Sequence, residues 1–124
     1  EIRLLAKGSD ILRVRGQTTR VQIANLATLQ GKRDAVKRFL AAYRETLDWM
    51  YSSPEAIKAY VEFSGLSEVS TREMMAGFIP KESLQIDRVS GVAESMQDAV
   101  QFKFINEPLT EKQLSELIQI DALK

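Results

Sequence analysis

Neither cysteine nor histidine occurs in this chain of 124 residues. The first absence excludes disulfide scaffolds, thiol nucleophiles and cysteine metal sites. The second removes the commonest general base and the commonest metal ligand. No apolar run approaches the ~18 residues that would span a bilayer. An excess of either charge is also missing, because 17 lysines and arginines balance 17 aspartates and glutamates. Nucleic-acid binding needs a basic field or stripe. Here Lys32, Arg33, Lys37 and Arg38 are interrupted by Asp34 and followed by Glu45 and Asp48. No nucleic-acid partner is expected.

What remains is a globular composition, 44% hydrophobic and 27% charged, sized for one domain or part of one. The N-terminal stretch reads as β. Ile2–Ala6 is a short apolar run ended by Lys7-Gly8-Ser9-Asp10, and Ile11–Arg15 is a second extended piece closed by Gly16. Thr18–Asn25 is the best strand, with β-branched Thr18, Thr19, Val21 and Ile23. Opening at Glu1 inside what reads as a strand, the chain is expected to be a fragment, a processed product or a truncated form of a longer protein.

From Lys32 onward the pattern is helical. Val36, Phe39, Leu40, Tyr43, Leu47 and Met50 recur at three- and four-residue steps. Ser53-Pro54 restarts the helix, with serine as cap and proline at the first turn, and Gly65 suits its left-handed end. Ser70 with Glu73 has capping-box spacing, although Ser67 could open that helix one turn earlier. Val89, Val92, Ala93, Met96, Ala99 and Val100 define another amphipathic helix running to Phe104. Thr110 with Gln113 forms a capping box before Leu114, Leu117 and Ile118. Leu40 and Leu117 are expected in the core. The expectation is an α/β chain, predominantly helical, with residues 1–31 carrying the strands and 32–124 five helices.

Few residues carry chemistry. Glu45 with Asp48 and Glu107 with Glu111 lie on polar faces without apolar surroundings to shift a pKa. Serine and threonine lack a histidine partner. Trp49, Tyr51, Met74, Met75 and Met96 read as packing residues. The one polar cluster at a strand entrance is Gln17, Thr18, Thr19 and Arg20. Ligands collect where strands of open α/β sheets meet their loops. Hydroxyls, an amide and a guanidinium suit a polar or anionic ligand. An ordinary turn with a surface arginine is the simpler reading of the same residues.

The order of these pieces resembles a known family. Asp34–Tyr51, the Ser53-Pro54-Glu55-Ala56 helix start, Phe78-Ile79-Pro80-Lys81, Gly91 with Met96-Gln97-Asp98-Ala99-Val100, and Pro108-Leu109-Thr110 with Gln113-Leu114 carry the likeness. Together they are similar to the C-terminal portion of ABC-transporter substrate-binding proteins of the nitrate/sulfonate/taurine type. The resemblance implies two α/β lobes of the type II periplasmic-binding fold closing on a solute. It implies a non-catalytic, exported, periplasmic or cell-surface protein with no cofactor and no metal. A membrane permease would be its partner, and Gln17, Thr18, Thr19 and Arg20 would face the ligand cleft. Taken alone, the segment would expose apolar faces around Met96, Val100 and Phe104 and self-associate. The same superfamily includes enzymes making the thiamine pyrimidine, which rely on histidine chemistry. A small helical interaction domain is the remaining alternative.

Overall fold

The computed structural model describes residues 5–13, 15–18 and 20–120. They are predominantly helical, with six α-helices: α1 (Leu26–Gly31), α2 (Arg33–Ser52), α3 (Pro54–Ser64), α4 (Glu68–Gly77), α5 (Val92–Gln101) and α6 (Glu111–Leu117). Short 3-10 turns lie at Gly8–Asp10 and Lys81–Leu84. The five helices expected beyond Lys32 all form, and α1 is an addition.

No strand occurs among the described residues, which corrects the expected β content. Of the stretch read as Ile11–Arg15, residues 11–13 and 15 lie in bends and turns, and the stretch from Arg20 to Asn25 has no ladder partner. β-branched residues favour a strand only when a neighbouring edge accepts their hydrogen bonds. Ile2 and Thr19 lie outside the described residues.

Two compact units divide the chain. Among the described residues, one runs from Gln22 to Ile86, and the other joins the residues up to Val21 with 87–120. The division expected at Gly31–Lys32 falls between α1 and α2, inside the first of these.

The Gln22–Ile86 unit holds the apolar core. Asn25 caps α1 by accepting from the Ala27 N–H at 2.8 Å. α2 buries Leu40 and Leu47 and half-buries Val36, Tyr43 and Met50, as its periodicity requires. Ser53 accepts from the Glu55 N–H, Pro54 occupies the first turn of α3, and Gly65 ends it at φ +71°. Ser67 caps α4, one turn ahead of Ser70. Ala56 and Ile57 of α3, Met75 of α4 and Leu29 of α1 complete the core. Thr71 is fully enclosed, and its hydroxyl has no hydrogen-bond partner in the structure. The segment after α4 is tied to one face of α2. Tyr51 donates to the Ile79 carbonyl, Asp48 meets Lys81 at 2.6 Å, and Tyr43 donates to the Leu84 carbonyl at 3.1 Å.

The second unit has no fully buried hydrophobic residue among those described. Polar ties hold it instead. Arg13 pairs with Asp98 of α5, and Arg15 Nε donates to the Ser9 carbonyl at 2.8 Å. α5 starts at Val92, three residues later than the apolar pattern suggests, because Gly91 stands before it at φ +75°. It stops at Gln101, short of Phe104, where Lys103 adopts φ +60°. α6 carries the expected Thr110–Gln113 capping box. Leu117, expected in the core, is 69% exposed. Periodicity identifies an apolar face, but it does not provide that face with a neighbour.

Candidate functional site

The polar cluster predicted at a strand entrance lies on irregular backbone in the second unit. Gln17 and Thr18 are half-buried there, and Arg20 is exposed. Thr19 lies outside the described residues. Gln17 Nε2 donates to the Arg13 carbonyl at 3.1 Å. The Thr18 N–H donates to the Ser90 carbonyl at 3.0 Å, and Thr18 Oγ1 accepts from the Ser90 N–H at 2.9 Å. Gly91 completes the arrangement: a Cβ there would lie 2.4 Å from Gln17 Cγ. The loop before α5 thus closes onto Gln17 and Thr18, which nothing in local sequence spacing reveals.

These contacts limit what the cluster can offer. The Gln17 amide N–H is engaged, while its carbonyl oxygen can still accept. The Thr18 hydroxyl accepts one bond and keeps its hydrogen to donate. Arg20 presents a guanidinium with a fork of N–H donors suited to a carboxylate, sulfonate or phosphate. A single exposed charge contact is worth only about 0–1 kcal/mol. Tight capture at this place therefore requires further groups around the ligand.

A concavity that the sequence did not announce lies in the Gln22–Ile86 unit. It has a volume of about 480 Å³, and Met50, Ile57 and Met75 supply its apolar wall. Lys81, Glu82 and Arg72 also line it. Both cations are already paired, Lys81 with Asp48 and Arg72 with Glu68 at 2.7 Å. The signal for this junction was present in the Ser53-Pro54 and Pro80 chain reversals, which bring three helical segments together.

Among the described residues, no group of three or more acidic side chains is placed to hold a metal ion. No helix of these residues is long and apolar enough to cross a membrane. Glu55 is a titratable group with a lowered pKa. Its carboxyl is held below the usual glutamate range, first by the Ser53 hydroxyl and then by its own backbone N–H. Both contacts belong to the cap of α3 rather than to a catalytic centre. Comparison of the chain with protein-family models, with curated proteins and with solved structures finds no match.

Proposed function

We propose that this chain is the helical part of a non-catalytic solute-binding protein of an ABC importer. It would capture a small anionic solute and hand it to a membrane permease. The observation that carries the reading is apolar surface left without cover in the second unit. Phe102, Phe104 and Leu117 are all largely exposed in and beyond α5 and α6. Exposed apolar surface of this kind marks an interaction site where it is contiguous, and a two-lobe protein would bury these residues against its remaining parts. The arginine at position 20 supplies the charge that an anionic solute needs, and the rest of the cleft would come from the other lobe. The lack of histidine and cysteine fits capture without chemistry.

The same exposed residues favour a second reading, a helical interaction domain that buries them on a partner protein. A thermal-shift screen separates the two. Inorganic oxyanions, sulfonates and small carboxylates are each added to the protein purified from its own host. The importer reading expects one class to raise the melting temperature in a saturable way, by RT ln(1 + [L]/Kd) of stabilisation. No shift with any class would leave the interaction domain as the better account.

A further inference from the structure

Residues 20–24, the stretch of chain that leads into the Gln22–Ile86 unit, run without bend or turn to Asn25, which is itself extended at φ −66° and ψ 139°. Among the described residues, none is hydrogen-bonded to the backbone of this stretch. All five residues are exposed, Val21 by 56% and Ile23 by 90%. Two positions apart, Val21 and Ile23 fall on one side of an extended chain. Such a segment offers a row of free N–H and C=O groups on which another strand can form. Proteins that leave an edge of this kind bare protect it with proline, lysine or an inward charge. Residues 20–24 contain no proline, lysine or acidic residue, and their one charge, Arg20, stands at the end.

The residue order selects the cover. Backbone donors and acceptors of a strand match those of an identical strand, so side-chain pairing decides the register. Take two copies antiparallel about Gln22. Gln22 then meets Gln22, Val21 meets Ile23 on both sides of the axis, and Arg20 meets Ala24. Each exposed apolar residue gains an apolar partner, and no like charges meet. A parallel pair in register would set Arg20 against Arg20, which is destabilising. Sliding the antiparallel pair by one residue would set Ile23 opposite Gln22 or Arg20 and lose the apolar match.

We propose that residues 20–24 form an antiparallel ladder with the same residues of a second copy, related by a two-fold axis at Gln22. The contact is isologous, the form most dimers take. Two short strands alone are marginal in water, so the dimer is weak and depends on concentration. The pairing uses backbone groups and apolar side chains, and it does not rest on the solute-binding reading.

Because the chain has no cysteine, a single introduced one reports a single position. Gln22→Cys, Val21→Cys and Ile23→Cys are each oxidised mildly. Phe63→Cys, at a position 87% exposed elsewhere on the chain, gives the rate of random collision. Circular dichroism with a thermal melt verifies that each variant folds. Gln22→Cys is expected to link to itself about tenfold faster than Phe63→Cys, because opposed Cβ atoms in a ladder lie about 4.5–5.5 Å apart. Val21→Cys and Ile23→Cys should link to each other when mixed and stay near the collision rate alone. Sedimentation velocity gives a second reading. Ala24→Glu sets a carboxylate opposite Arg20 twice in the dimer and should tighten association about threefold to tenfold, while Ala24→Arg should loosen it by a similar factor. Self-linking of Val21→Cys and Ile23→Cys as fast as that of Gln22→Cys would show parallel pairing and overturn the proposal. So would collision rates at all three positions, or association indifferent to the charge placed at position 24.

Discussion

Thr18 and Ser90, 72 positions apart, exchange two hydrogen bonds: the Thr18 N–H donates to the Ser90 carbonyl, and the Ser90 N–H donates to Thr18 Oγ1. In a unit without a fully buried hydrophobic residue among those described, this exchange fixes the loop before α5 onto the N-terminal stretch. Thr18→Val keeps the shape but leaves the Ser90 N–H without its acceptor. A loss of about 1–2 kcal/mol is expected in chemical denaturation. Thr18→Ser should recover most of it. Equal stability of all three proteins would contradict this role.

Gly91 is the other half of that closure. Its φ of +75° disfavours any side chain, and an added Cβ would lie 2.4 Å from Gln17 Cγ and 3.2 Å from Gln17 Cα. Gly91→Ala is expected to lose about 1–2 kcal/mol from backbone conformation alone, with the collision adding to it. Combining it with Gln17→Gly should return the steric part only. Thermal melts of the two single variants and the double variant measure this. A melting temperature unchanged by Gly91→Ala would count against the loop's geometry.

Leu40 and Leu117 occupy equivalent positions in their sequence patterns but not in the fold. Leu40 is 8% exposed and Leu117 69%. Leu40→Ala should cost about 2–5 kcal/mol. Leu117→Ala should stay within about 0.5 kcal/mol, as for surface positions. Urea denaturation distinguishes them, and comparable losses at both positions would show that α6 is covered.

Glu55 gives a pH-dependent contribution. Its pKa lies below the ordinary glutamate value because the charged carboxylate accepts from Ser53 and from its own N–H. A lowered folded-state pKa means stabilisation that is complete above the ordinary value and lost as pH falls through the lowered one. Carboxyl chemical shifts followed by NMR should place the Glu55 midpoint below that of an unstructured glutamate. Ser53→Ala should move it back up and cost about 1 kcal/mol of cap energy. A midpoint at or above the ordinary value would refute the assignment.

Local chemistry made much of the helical region readable before any coordinates. Ser53-Pro54, Gly65 and Thr110 with Gln113 are short-range signals, and each caps the helix end it announces. Choosing Ser67 over Ser70 depended on one turn of register, which either serine could have fixed. Helix α1 was missed because Asn25 read as the end of a strand, whereas its side chain starts a helix. The strands failed for a different reason. Thr18 and Ile23 have the residue types of a strand, but a ladder needs a partner edge, and sequence composition does not supply one. The surroundings of the candidate site were not legible, because the tie of Gln17 and Thr18 to Ser90 and Gly91 spans most of the chain.

Native mass spectrometry of the protein purified from its own host tests most directly the proposal that it carries a small solute. The account predicts a defined mass increment of a small molecule, one per chain, lost on unfolding. Fragmentation should identify an anionic group, and Arg20→Ala should reduce the loaded fraction. Protein that leaves its host with no such increment, and acquires none when incubated with small-molecule host extract, would contradict the solute-binding account.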